Sequence, residues 1–552
     1  MRMKVRQALL SAVAALSQLA SSKSPIQPSA ESARQNAFLI FNSVHSAMRQ
    51  WGSSLHHNGM SLIPATIPRG TALYHGSAFN STPIAPEWLA FEMEHAENFA
   101  RSRPYGIWPN VSTHHDHRPR PMFDQDNAQR RLKNTPLAEE NSKTIRGYFH
   151  TFLTTRPLHL LYVDGSSAGN TYLGTLDTQD YILRLLDPAE DNPFADYQRA
   201  RELCALVTSW GYDGIIRMEI GFEIIWCDFS EGKGLETRSV VRSKGLEASE
   251  KWDPKKGREG VWRWARAAGE RYDGIGGGRV KLDFSRMVSP LWYPVDVRNP
   301  DEKRAKEGLP RLVGMTREER EVVMGRVGAV AKAGGKGNGE GVDWQGVVDM
   351  VVARYSERLG YMASEEVEAG RFVEEVFAAT NSYVEYPSAP GDVTVLNGGE
   401  GFAQECQRCA EQYLLPLEWK RASGDWTEED EMLHAVISSV TQRICQTLFD
   451  VRTELESLQP GIVFGVASGD INDTERATMQ KAVEQGRGMV RNLTAELRWT
   501  TWKKCRGCAA NEVCFVAMWP FGRVSDHYEP SCFWHDNYWD LKVPTDPPGG
   551  GD

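Results

Sequence analysis

The sequence predicts an α+β amino-terminal domain followed by a mainly α-helical carboxy-terminal domain with disulfides. Three observations carry this. Between Ile63 and Ser230, short apolar runs broken by Gly, Pro and Asp alternate with two helical segments, the pattern of a mixed layer of sheet and helix. Beyond residue 343, apolar residues recur at three- and four-residue spacing, the period of bundled helices. Seven of the nine cysteines fall after residue 400.

A chain of 552 residues exceeds what one core normally holds, so several domains are expected. Apolar residues at 41%, aromatic at 10% and charged at 25% are ordinary globular values. A net charge of -10 argues against nucleic acid or an anionic membrane as the main partner, since both reward basic surfaces.

The elements follow in order. Residues 1–20 place Arg2, Lys4 and Arg6 before an apolar run that ends in small residues, the layout of a secretory signal peptide. An amphipathic targeting helix is the alternative. The run is short for a bilayer, so no stable membrane span is expected after cleavage, and the protein is expected to be secreted or at the cell surface. Sequons at Asn80, Asn110, Asn472 and Asn492 agree weakly with a glycoprotein. Residues 21–60 read as a helical lead, and 61–232 as the α+β domain. Within it, the polar, Pro-rich stretch holding His114, His115 and His117 is an exposed loop rather than a metal site. Residues 233–325 read as an appendage with one strand in "RVKLDFSRMVSPLWYPVDV", and 326–342 as a Gly-rich linker. "GIGGG" at 274–278 has no following Gly-Lys-Ser/Thr and is no nucleotide loop.

Residues 343–552 read as helical. Thr427, followed directly by acids, is expected to cap a helix, and Leu433, Val436, Val440 and Ile444 are core by their spacing. Cys505-x2-Cys508 with Cys532-x2-His535 has zinc-ribbon-like spacing. With an exported chain, Cys514 in the same stretch and a second Cys-x2-Cys at Cys406 and Cys409, disulfides are the stronger reading, so no metal is expected. The odd total leaves a free thiol, for which Cys204 or Cys227 are the candidates because their surroundings are apolar.

Chemistry is expected in the first half. "GTALYHGS" is a short strand ending at Tyr74-His75-Gly76, where glycine permits close approach. "EWLAFEMEHAENFARS" is a strand over Trp88–Phe91 entering a helix whose Met93, Ala96 and Ala100 share a face extended by Phe99. "LHLLYV" is apolar enough to lie centrally in a sheet. "GYDGIIRMEIGFEIIWCDFS" reads as turn, strand, tight turn at Gly221, strand. On its second strand Phe222, Ile224 and Trp226 face one way, and Glu223, Ile225 and Cys227 the other. Glu223 therefore sits among apolar residues, where a carboxylate needs a partner or a task. An ion pair in an edge strand is the bland alternative. Glu219, alternating with Arg217, reads as a solvated neighbour.

Taken together, "LYHGS", "WLAFEMEHAENFA", a central strand and "GYDGIIRMEIGFEII" resemble the split-sheet core of the ADP-ribosyltransferase fold, over Ile63 to Ser230. The whole chain also resembles an uncharacterised family of secreted ascomycete fungal proteins that shares the stretches at Leu73–Gly76, Trp88–Phe91, Leu176–Asp180 and Asp213–Gly214. The first resemblance implies a split antiparallel sheet and an enzyme with NAD as substrate: a mono-ADP-ribosyltransferase acting on an unknown protein acceptor, or an NAD glycohydrolase. Cleaving the ribose–nicotinamide bond passes through a cationic, oxocarbenium-like state that a placed carboxylate stabilises. By similarity Glu223 and His75 would be catalytic, Glu223 stabilising charge and His75 holding a ribose hydroxyl. Tyr74, Gly76, Trp88 and Phe91 would bind the cofactor, the aromatics lying near nicotinamide. The chain departs from that family on the helix after Trp88–Phe91, which offers His95 where relatives place Tyr. The NAD reading requires His75 and Glu223 in one pocket; on opposite faces of the sheet they could not act together. The alternatives are a catalytically inactive secreted or cell-surface binding protein on the same fold, and an unrelated hydrolase, for which no Gly-x-Ser-x-Gly or His-Glu-x-x-His is present.

Overall fold

A computed structural model describes residues 26–84, 86–100, 147–243, 254–269, 274, 278–306, 308–333, 341–386, 400–458, 472–517 and 524–534. The signal-peptide reading, Asn110, the three loop histidines and His535 lie outside them.

Among the described residues the strands of the main sheet are β1 (Leu62–Ile67), β2 (Ala72–Ser77), β3 (Glu87–Ala90), β4 (Tyr148–Thr154), β5 (Leu158–Val163), β6 (Gly214–Glu219), β7 (Gly221–Trp226), β8 (Leu235–Arg242) and β9 (Lys281–Leu282). They form one nine-stranded sheet in the order β8-β4-β2-β3-β7-β6-β5-β1-β9. Every pairing is antiparallel except β5 with β6, which need a crossover; the helix Asp196–Ser209 supplies it. β5, flanked by β6 and β1, is interior as its apolar run predicts. β2 and β3 are joined only through Tyr74 and Ala90, so the ladder opens between them.

Two sequence boundaries are corrected. The stretch read as an appendage supplies both edges of the sheet: β8 pairs β4 and β9 pairs β1. β8 escaped the strand reading because seven of its eight residues are exposed, leaving no alternation of apolar and polar positions to detect. The linker reading overlaps a helix, Arg317–Lys332, begun by a capping box between Thr316 and Glu319.

The helical half is built on Glu428–Glu456, which Thr427 caps in a box with Asp430. Leu433, Val436, Val440 and Ile444 are fully buried along it. The lead helices Ala30–Gln35 and Ala37–Ser46 pack on this helix and are tied to the helical half by polar contacts: Asn42 donates to the Leu497 carbonyl (2.9 Å), and Arg49 makes a two-pronged pair with Asp349. One apolar core runs from Ala33 to Phe533, so lead, sheet and helices share an interior instead of holding separate cores. No helix among the described residues is long and apolar enough to cross a membrane.

Four disulfides join Cys204–Cys227, Cys409–Cys445, Cys505–Cys514 and Cys508–Cys532, and Cys406 is the free, buried cysteine. The assignment of the free thiol to Cys204 or Cys227 is therefore wrong. The crossover helix carries Cys204 beside the end of β7, with 5.5 Å between the two Cα atoms, and that proximity is a property of the crossover rather than of local composition.

Candidate functional site

The three strands that carry the motifs are consecutive in the sheet: β2 with Tyr74-His75-Gly76, β3 with Trp88, and β7 with Glu223. Register fixes their faces. Ala90 pairs with Tyr74 on one side and Glu223 on the other, Trp88 pairs with Ile225, and Arg217 of β6 pairs with Glu223. Cross-strand partners share a face, so Tyr74, Trp88, Arg217 and Glu223 lie on one side. Side chains alternate, so His75 and Phe91 belong to the other.

His75 therefore does not meet Glu223. Its Nδ1–H donates to the Trp88 carbonyl at 2.7 Å across the open ladder, and its ring lies against His150 and Phe229. Burial holds the imidazole down at about 4, so it is neutral, with the proton on Nδ1 because a carbonyl can only accept. Phe91, 1% exposed, has the Arg279 guanidinium over its ring. Gly76 serves packing instead of ligand approach: a Cβ there would stand 1.9 Å from the Ala96 carbonyl oxygen, so glycine is what lets the helix Met93–Phe99 lie against β2. That close approach also rotates the helix away from its expected face. His95, Ala96 and Asn98 are buried, while Met93 and Phe99 are about half exposed.

On the other face Glu223 is 6% exposed in an interior strand, not an edge. Its Oε1 accepts from Arg217 Nε at 2.7 Å, and its Oε2 lies 3.7 Å from His95 Nε2. Burial pushes the Glu223 carboxyl up against the pull of Arg217. Burial also drives His95 down to about 3, so the imidazole beside Glu223 is neutral. The indole of Trp264 stacks on His95 with centroids 4.2 Å apart. Arg217, to which the sequence assigns no role of its own, is 3% exposed. It reaches Gln179 Oε1 (3.4 Å) and Asp196 Oδ1 (3.8 Å) and lies over the Trp88 ring. Glu219 is half buried rather than solvated, and burial together with the Glu223 and Asp196 charges raises its carboxyl well above the usual range. Tyr197 stands edge-on to Trp88 and is 52% exposed, so the site meets solvent at this aromatic pair.

The network continues inward. Arg199 grips Asp180 with both prongs at 2.9 Å and Asp196 at 3.0 Å, and Arg184 reaches Asp180 at 2.8 Å. Asp180, Arg199 and Gln179 come from the stretch after β5, in which Asp164 to Leu183 is buried apart from Tyr172. Part of it, Leu176–Asp180, stands out in the sequence only as a stretch of the fungal-family resemblance and carries no role there. Its mark in the sequence is four polar residues, Asp177 to Asp180, directly ahead of the short apolar run Tyr181–Leu183. The hairpin carrying Glu223 turns at Gly221, where φ is +87°. Gln50 of the lead clamps that turn, donating to the Glu219 carbonyl and accepting from Gly221 N–H.

Residues 31–255 match the model of a family described as the YPL277C N-terminal domain. An uncharacterized protein of Saccharomyces cerevisiae, YOR389W, is 24% identical across 88% of this chain and 82% of its own length. A second uncharacterized protein of that yeast, YPL277C, is 35% identical across 35% of this chain and 41% of its own length. These matches support an uncharacterised fungal protein family. No solved structure matches the chain. The span shared with the family model runs from the lead helices through β8 and holds Glu223, Arg217, His95, Trp88, Asp196 and Gln50, the whole of the polar network with the clamp on its hairpin.

Proposed function

We propose that the protein is an NAD-cleaving enzyme of ADP-ribosyltransferase-like build, with Glu223 as the charge-stabilising carboxylate and His95, not His75, as its imidazole neighbour. The observation that carries the reading is the grouping of Glu223, His95, Trp88 and Tyr74 on one face of three adjacent strands. In the form that couples His75 to Glu223 the reading fails, because the sheet lies between them.

Each group has work suited to its chemistry. Glu223, which accepts from Arg217, would in its ionised form oppose the positive charge that develops on ribose as nicotinamide departs. Neutral His95 can exchange a hydrogen bond without adding a competing cation. Trp88 and Tyr197 offer flat faces at the solvent edge for an aromatic base. Arg217 is the group that would meet a phosphate or reset the carboxylate's charge. The test is nicotinamide release and NAD binding by the purified, disulfide-intact chain beside Glu223→Gln. Release that drops by roughly a hundredfold or more in the variant, in line with loss of a transition-state contact, supports the reading. A parent that neither releases nicotinamide nor binds NAD rejects it.

One observation favours a second reading, a catalytically inactive binding protein on the same sheet. Arg217 already occupies Glu223 Oε1, so the carboxylate has a structural task. Whether NAD binds without being cleaved separates the two. Export to the cell surface or beyond, as the amino terminus suggests, belongs to either.

A further inference from the structure

We propose that Cys505, Cys508, Cys514 and Cys532 form a tetrahedral Zn2+ site when the chain is reduced. The short strands β10 (Val513–Phe515) and β11 (Ser531–Phe533) set Cys514 directly opposite Cys532. The segment Cys505-Arg506-Gly507-Cys508 turns back through Gly507, at φ +80°, and brings its two sulfurs to the same place. The sulfurs of Cys505, Cys508 and Cys532 lie within 4.8 Å of one another, although Cys505 and Cys508 belong to different bridges. Cys514 is bonded to Cys505; its sulfur stands outside that mutually close group and would swing into the fourth place once the bridges open.

Two independent disulfides have no need to touch. Four sulfurs around zinc do: Zn–S bonds of about 2.3 Å put the sulfurs roughly 3.8 Å apart in a tetrahedron. A close pair of cysteines on a turn facing a cross-strand pair is the arrangement that closes such a site. Cys514 takes the fourth place, which sequence spacing had offered to His535. The backbone N–H of Cys505 donates to Cys514 Sγ at 3.0 Å, a contact that favours a thiolate there. The knuckle is flanked in sequence by Lys503, Lys504 and Arg506, cations that lower the cost of thiolate formation. All four cysteines are partly exposed, so an ion can enter.

The chemistry balances without a further oxidant. Two equivalents of a dithiol reductant convert the two bridges to four thiols, each reductant leaving as its own disulfide. Zn2+ then displaces four protons to give the tetrathiolate. In a reducing compartment the first step is not needed.

The test uses the full chain, reduced with a phosphine and titrated with Co2+ as a spectroscopic stand-in for zinc. The expected result is the visible absorption of tetrahedral cobalt thiolate, saturating at one ion per chain and bleached by added Zn2+. Cys514→Ser and Cys532→Ser abolish it, Cys406→Ser and Cys409→Ser leave it intact, and Cys514→His restores binding with a shifted spectrum. No tetrahedral absorption from the reduced parent, or a signal that survives both Cys514→Ser and Cys532→Ser, overturns the proposal.

Discussion

The long helix Glu428–Glu456 and the Glu223 face of the sheet are equally buried and held by opposite means. Along the helix, Leu433, Val436, Val440, Ile444 and Leu448 are fully buried aliphatics, each contributing by removing apolar area from water. Behind the sheet, Asp180 and Arg199, on the helical turn Thr178–Leu183 and the crossover helix, are as deeply buried and are tolerated because each is paired, with the other and with Arg184 and Asp196. A cavity in the first region is local. An unpaired charge in the second has no remedy but water or protonation.

The largest effect expected from this contrast is Arg199→Ala, which removes the two-pronged partner of buried Asp180 and leaves it Arg184 alone: about 3–5 kcal/mol of stability lost in urea denaturation. The double variant Arg199→Met with Asp180→Asn should recover much of that, and failure to recover would assign the loss to packing. Leu448→Ala should cost about 2–5 kcal/mol, with no apolar partner change able to worsen it by leaving a charge behind.

The third expectation is a pH dependence. His75 and His527 are each held down at about 4 by burial, below the unfolded value near 6.5. For a depressed pKa the contribution is whole above about 6.5 and is lost as pH falls toward 4, by about 3 kcal/mol for each histidine from linkage. Asp164 and Asp191, raised to about 6 mainly by burial, act with the opposite sign. His75→Gln isolates the term: urea midpoints between pH 7 and 4 should fall less steeply than in the parent, and equal slopes would contradict a buried neutral His75. The smallest effect belongs to Trp419→Ser. Trp419 is 71% exposed, so stability should change by no more than about 0.5 kcal/mol.

The same contrast explains what was legible in the sequence. The aliphatic stripe, the Thr427 cap, the central β5 and the turn at Gly221 all leave a periodic or steric mark on neighbouring residues, and each was read correctly. Arg217 and Arg199 leave no such periodic mark, because partners such as Gln179, Trp88 and Asp180 come from elements that meet only after folding. His95 was placed on its helix but not against Glu223, since the face it shows depends on Gly76 allowing the helix backbone to approach β2. The pairing of Cys204 with Cys227 depends in the same way on a crossover.

The central claim is that chemistry belongs to the Glu223 face and not to His75. Nicotinamide release by Glu223→Gln, His95→Asn and His75→Asn, each checked for native thermal stability, tests it most directly. The expected result is loss in the first two variants with His75→Asn near the parent rate. Loss in His75→Asn with activity kept in His95→Asn would contradict it.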